Sequence, residues 1–193
     1  MRGMREETTA RSIAYLRNQY SGDDCYIVAA GASAGYISPS FLLGKLAIGV
    51  NEVYTRFPRL PYFIRKEAVG MEECANHIHP HGGRLIASKY NCGSKSCGLN
   101  KTDHVDFIFE HEENALTSID FSVLGDDRLI VSYSTITSAI HLAAYMGAAN
   151  IILIGHDCGL LDGAANFEGY PQATGGQDFY LRWIREIEPQ TVM

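Results

Sequence analysis

No apolar run in the 193-residue sequence approaches the roughly 20 residues that a membrane-spanning helix needs. Positive charge is scarce as well. Sixteen Lys and Arg stand against 22 Asp and Glu, a formal net charge of −6, and this balance argues against nucleic-acid backbone as the main partner, because such binding rests on clustered cations. The start, MRGMREETTARS, is charged where a signal peptide would be apolar, so a cytoplasmic location is the expectation. Cysteine comes in an odd number, five, at irregular spacing, and reads as thiols rather than as a disulfide framework. Also missing are the lysine of a Walker A loop and a complete G-x-G-x-x-G fingerprint.

What is there is an ordinary globule of a size that suits one domain, with 46% hydrophobic and 20% charged residues. Residues 127–160 organise it. Residues 129–132 (LIVS) and 151–154 (IILI) are short apolar runs suited to strands buried on both faces. Between them Ile136, Ala139, Ile140, Ala143 and Gly147 fall at helical spacing, while Leu142, Tyr145 and Met146 make the other side almost as apolar. The pattern predicts two parallel strands joined by a buried crossover helix, with both strand tips at one edge of the sheet, where ligands of open α/β sheets bind. Ser132, Ser134, Thr135, Thr137 and Ser138 crowd the helix start, more hydroxyls than a cap requires, and free N–H groups there favour an anion. His156, Asp157 and Cys158 occupy the second tip.

Earlier in the chain, 8–20 carries Ile13, Leu16 and Tyr20 at amphipathic helical spacing. A strand is expected over 25–30 (CYIVAA), running into the small-residue turn Gly31, Ala32, Ser33, Ala34, Gly35 and a helical segment over 38–45. Small residues let backbone N–H groups approach a phosphate, although a plain tight turn uses the same residues. A second strand over 46–50 (LAIGV) ends on Asn51, whose amide could bind a base or ribose or close a turn. Further strands are expected over 62–65 and 84–88.

Residues 74–111 read as an irregular insertion near the cleft. They hold His77, His79 and His81 in alternation, then Cys92, Cys97 and His104. Alternating histidines on an extended segment are separated by roughly 6 to 7 Å of rise, and Cys92 and Cys97 lack the spacing of a knuckle, so no structural zinc is expected. Residues 161–174 form a Gly-rich loop able to fold over the tip of the second strand, and 175–187 read as a last helix. The chain stops over 188–193 where an α/β repeat would begin another strand, which points to a longer natural protein.

The order strand-G-x-S at Gly31 to Ser33, strand-Asn at Asn51, Ser/Thr-rich turn, apolar helix and M-G-A-x-x-I-x-L-I-G-x-D resembles a Rossmann-like superfamily. It includes the motility-accessory-factor flagellin glycosyltransferases, the archaeal hydroxymethylpterin diphosphokinases and the bacterial lipooligosaccharide sialyltransferases. The likeness covers 24–51 and 129–170. It implies an α/β fold, Rossmann-like, with a largely parallel sheet, helices on both faces and a single domain over 1–193. Gly31, Ala32 and Ser33 match the family's phosphate-facing turn, usually G-x-G-P-S, with Ala32-Ser33-Ala34 as a departure. Asn51 matches a nucleotide-contacting asparagine, and Ser134, Thr135, Ile136 and Thr137 the segment beside the nucleotide. Where the sialyltransferases carry His-Tyr-x-Gly-His, this chain has Asn166-Phe167-Glu168-Gly169-Tyr170. Tyrosine, with an unperturbed pKa of about 10, is a poor base at neutral pH.

The resemblance implies a nucleotide-binding transferase, with glycosyl transfer from a sugar nucleotide of CMP-sugar type to a glycan or small-molecule acceptor as the leading chemistry. His156, Asp157 and Tyr170 are then the catalytic candidates. This chemistry requires no cofactor. The alternatives are diphosphate transfer from ATP, with Asp157 helping to hold Mg²⁺, and a catalytically silent sugar- or nucleotide-binding module. Oligomeric state is left open by the sequence.

Overall fold

The computed structural model describes residues 10–91, 95–113, 128–131 and 134–170. Its framework is an eight-stranded sheet made of β1 (Arg11–Ser12), β2 (Asp24–Val28), β3 (Leu46–Val50), β4 (Tyr62–Arg65), β5 (Arg84–Ser88), β6 (Phe107–Glu113), β7 (Arg128–Val131) and β8 (Asn150–Ile154). The order is β1-β6-β5-β4-β3-β2-β8, with β7 paired to β6. These strands pair with one another in parallel. The mostly parallel, Rossmann-like α/β architecture therefore stands as the sequence suggests.

Two helices, α1 (Met71–Ile78) and α2 (Thr135–Tyr145), take opposite faces. Side chains alternate across a strand, so Leu46, Ile48 and Val50 of β3 and Tyr62 and Ile64 of β4 pack with Ile136, Ala139, Ile140 and Ala143 of α2. Ala47 and Phe63 point the other way, into a cluster with Met71, Cys74, Ala75 and Ile78 of α1. Both faces being covered, all residues of β3 and of β4 are buried, which explains the apolar run of β3 and that of β4 as far as its last residue, Arg65. Gly49 makes room for a ring: a Cβ there would lie 2.6 Å from Phe63.

The crossover through α2 is longer than a neighbour-to-neighbour βαβ unit. Strands β5, β4 and β3 separate β6, which holds β7, from β2, which holds β8. The tips of β7 and β8 share the C-terminal edge but stand on opposite flanks.

Several local expectations need correction. Over 8–20 no α-helix forms among the described residues: β1 is followed by a 3₁₀ turn, Ile13–Leu16, capped by Ser12 Oγ accepting from Ala14 N–H at 3.1 Å. Ile13 and Leu16 do face the core, and the chain is then tied to the end of α2 by Asn18 and Tyr20 N–H donating to Tyr145 and Met146 carbonyls. The helical segment over 38–45 shrinks to the 3₁₀ turn Pro39–Leu42. Within 74–111 lie the greater part of α1, all of β5 and the start of β6, so that stretch supplies two strands of the sheet, and its irregular part among the described residues is 89–91 and 95–106. His77 is helical and His79 and His81 sit in the 3₁₀ turn His79–His81, so the three do not alternate on a strand. Cys92, Ser132 and the expected last helix over 175–187 lie outside the described residues. No helix among the described residues is long and apolar enough to cross a membrane.

Candidate functional site

Because the strands are parallel, their C-terminal ends bring the chemistry-bearing residues to one edge. At the β2 and β8 tips the backbones almost touch. Gly31 N–H donates to the Gly155 carbonyl at 2.7 Å, and a Cβ on Gly31 would lie 2.4 Å from that oxygen. Only glycine fits there. Asp157 spans the same gap: one carboxylate oxygen accepts from Ser33 N–H at 2.8 Å and the other from the Ser33 hydroxyl. Gly31, Ser33 and Asp157 are thus brought together as expected, but the N–H groups of Gly31 and Ser33 point into the protein. Asp157 acts here as a positioning residue that fixes the turn containing Ala32.

Beside Asp157, burial holds the His156 imidazole below its ordinary pKa, with the Asp157 charge pulling the other way. His156 is therefore neutral near pH 7. Its Nε2 lies 3.2 Å from the thiol of Cys158, a residue in the left-handed region at φ 51°. Burial and the Asp157 charge push that thiol up, away from thiolate.

At the β3 tip Asn51 also adopts a left-handed backbone, φ 56°, which asparagine tolerates better than most residues. Its Oδ1 is buried and has no hydrogen-bond partner. Most buried polar atoms find a partner, so an orphaned acceptor at a sheet edge asks what donates to it. Next to it, Glu52 binds Arg65 of β4 at 2.7 Å and accepts from the Tyr170 hydroxyl at 2.8 Å. Burial alone would raise the Glu52 carboxyl, but the Arg65 charge and the Tyr170 hydroxyl outweigh it and hold it below its ordinary value. Tyr170 is itself pushed up, by burial first and then by the Glu52 charge. A phenol in that state is a donor and not a base.

The late loop does fold across this edge. Phe167 N–H and Asn166 Nδ2 both donate to the Ala30 carbonyl, at 3.0 and 3.2 Å, and Phe167 is buried against Phe57. Through Ala30 and Glu52 the loop links the β2 tip to the β3 tip.

The hydroxyls at the start of α2 are engaged with their own helix and strand. Ser134 Oγ caps Ile136 N–H at 3.3 Å, Thr137 Oγ1 donates to the Ser134 carbonyl at 2.6 Å, and Ser138 donates to the Ile130 carbonyl at 2.9 Å. Thr135, Ile136 and Thr137 are buried. Ser138 ties the segment to β7, and Ile136 joins the core cluster that contains Val50 of β3 and Ile64 of β4.

Three residues of this edge were not singled out from the sequence: Glu52, Arg65 and Asn100. Asn100, 7% exposed, donates through Nδ2 to the Lys66 and Ser88 carbonyls beyond β4 and at the end of β5, while its Oδ1 stays buried without a partner. The available signal was a charged pair, Arg65-Lys66, closing an apolar strand. Among the described residues no group of three or more His, Cys, Asp or Glu side chains is arranged to hold a metal ion. His77 contacts the Glu73 carbonyl and the Tyr54 ring, and His79 contacts Asp106.

A cavity of about 360 Å³ lies elsewhere, lined by Pro39, Leu43, Arg56, Pro58 and Leu60 among others. Its lining runs from Leu43 and Leu60, which lead into β3 and β4, to Arg56, which donates to the Gly35 carbonyl at 2.6 Å, and Phe57, which packs on Phe167. It carries an orphaned donor, Arg56 Nε, rather than an acceptor at a strand tip, and volume alone does not make it the better candidate. Compared with family models, curated proteins and solved structures, the chain matches none.

Proposed function

We propose that the C-terminal edge of the sheet binds a nucleotide, and that the chain is a transferase taking a glycosyl group from a sugar nucleotide. Asn51 carries this reading: its buried Oδ1 lacks a donor at the tip of a central parallel strand, where a nucleoside N–H or ribose O–H can supply one. Beside it the turn at Gly31, Ala32 and Ser33, clamped by Asp157, gives a rigid wall for the donor phosphates. His156 is the proton acceptor for the sugar acceptor's hydroxyl. It is neutral near pH 7, whereas the Asp157 oxygens accept from Ser33 and Tyr170 donates to Glu52. Ser134, Thr135, Ile136 and Thr137 flank the edge on the β7 side and have a supporting role. The leading chemistry needs no metal.

A second reading, a binding module without turnover, is favoured by the same engagement of Asp157 and Tyr170. A thermal-shift panel of CMP, UDP, GDP and ATP, each with and without Mg²⁺, separates the readings. A ligand that binds only the native state at 100 times its Kd raises apparent stability by about 2.7 kcal/mol. Stabilisation by CMP without metal, with turnover of a CMP-sugar, supports the transferase; stabilisation by CMP without turnover leaves the module. Stabilisation by ATP with Mg²⁺ alone would favour diphosphate transfer, and no stabilisation by any of the four overturns the nucleotide site.

A further inference from the structure

Arg65 is 4% exposed, yet most of its donors go unused. Its Nη2 donates to the Val69 carbonyl at 2.7 Å and pairs with Glu52 at 2.7 Å, while Nε and Nη1 are buried with no hydrogen-bond partner. That leaves three N–H groups of a permanent cation unmatched, since a guanidinium carries five. An unmatched buried charge-bearing donor is among the costlier defects a fold can keep. The guanidinium also sits against the start of α1. Gly70 is the residue preceding that helix, at φ 77° and with no side-chain cap, and a Cβ on it would lie 3.2 Å from Nη2 and 3.9 Å from Nη1. The positive end of an eight-residue helix and an under-used arginine therefore converge.

Three neighbours that feel the Arg65 charge bring no negative charge of their own near pH 7. Burial pushes the Cys74 thiol and the Tyr54 hydroxyl each up to about 12, and Tyr170 is raised as well. Glu72 and Glu73, in the first turn of α1, are exposed. The carboxylate in contact is Glu52, whose side chain is 34% exposed where that of Arg65 is 4% exposed. In register, Val50 pairs with Ile64, so the next residues, Asn51 and Arg65, stand side by side at the sheet edge.

We infer that Arg65 and the start of α1 form an anion subsite next to Asn51, filled in the free protein by the Glu52 carboxylate, which a carboxylate or phosphate of the ligand displaces. The subsite rests on the reading of this edge as a nucleotide site and names what that ligand must carry: an anionic group within reach of the moiety held by Asn51. Two sources share this chemistry, a phosphate of the nucleotide and a carboxylate on the transferred sugar.

Titration of the protein with inorganic phosphate and, separately, with acetate tests it, in the wild type, Glu52→Gln, Glu52→Gln/Arg65→Gln and Glu52→Gln/Arg65→Lys. Glutamine keeps the contacts to Arg65 and Tyr170 but removes the competing charge. Glu52→Gln is expected to bind one of the two anions at least about tenfold more tightly than the wild type. A gain for phosphate identifies a phosphoryl group, and a gain for acetate a carboxylate. Both double variants should lose the gain; the lysine variant preserves the buried charge, so it reports on the guanidinium N–H groups even if the glutamine variant does not fold. No gain for either anion in Glu52→Gln, or a gain that survives Arg65→Lys, overturns the subsite. Neither probe is a nucleotide, so CMP binding without the anion gain defeats the subsite alone, and the anion gain without CMP binding defeats the nucleotide reading alone.

Discussion

Replacing Gly31 by alanine tests the joint between β2 and β8 on which the candidate site is built. The added Cβ would lie 2.4 Å from the Gly155 carbonyl oxygen, 2.7 Å from Asp157 Oδ2 and 2.9 Å from Asp157 Cγ. None of these can yield cheaply, because the carbonyl accepts from Gly31 N–H and the carboxylate from Ser33. Overpacking of this kind costs about 1–3 kcal/mol, and weakening the hydrogen bonds to a carbonyl and a carboxylate adds about 1–3 kcal/mol. Alanine returns roughly 0.4–1 kcal/mol by restricting the unfolded chain, so the net loss is about 1–5 kcal/mol. Gly35→Ala, in the same turn, is the internal control. Its Cβ would meet only Phe167 Cβ at 3.5 Å, an ordinary contact, and its backbone is not left-handed, so it should be neutral or slightly stabilising. Urea denaturation gives both midpoints, and a thermal scan should show Gly31→Ala melting about 2–20 °C lower, at about 2–4 °C per kcal/mol for a chain of this size. A Gly31→Ala midpoint equal to the wild type's, or Gly35→Ala losing as much, would refute the close approach of the two tips.

Further outcomes follow from the same geometry. In a double-mutant cycle, Ser33→Ala and Asp157→Asn should be coupled by about 1–2 kcal/mol, read from denaturation midpoints; additive losses would mean that the pair does not join the tips. Tyr170→Phe should cost about 1 kcal/mol and increase protease cleavage within 159–170, and unchanged cleavage would show that the Glu52 contact does not hold the loop. Burial depresses the His141 pKa to about 4, and its Nδ1 accepts from Ile130 N–H at 2.9 Å, which fits the neutral ring. The folded value lies below the unfolded one of about 6.5, so the unfolded state binds more protons between them. Stability is accordingly full above pH 6.5 and falls by about 3 kcal/mol toward pH 4. An NMR titration in which His141 changes charge near pH 6.5 would contradict this.

Much of the sheet was legible because β3, β4 and β5 are buried, largely apolar and bounded by turns or charged residues, whereas β8, apolar as it is and expected to be buried on both faces, ends the strand order with only Ile154 buried and Leu153 37% exposed. Strand β6 was not, since FIFEHEE turns acidic over the half that runs on to β7. The spacing of Ile13, Leu16 and Tyr20 identified residues that pack on the core, but a 3₁₀ turn delivers them as well as an α-helix would. At the site, Asn51 and Asp157 could be placed because each follows a strand. That Asp157 would be occupied by Ser33, 124 residues away, depends on β8 lying beside β2, which local pattern does not encode. Nothing in the local sequence marks out Arg65 and Glu52 as a pair, and only the packing around them makes one a buried cation and the other its partner, with Tyr170 on the carboxylate.

Amide chemical-shift mapping with CMP shows whether ligand binds at the C-terminal edge beside Asn51. Perturbations are expected to concentrate at 31–33, 51–52, 65–66 and 155–157 and to be lost in Asn51→Gly, a replacement that keeps the left-handed backbone at φ 56° while removing the orphaned amide. Perturbations centred instead on Leu43, Arg56 and Leu60, around the cavity that these residues line, or a pattern unchanged in Asn51→Gly, would contradict it.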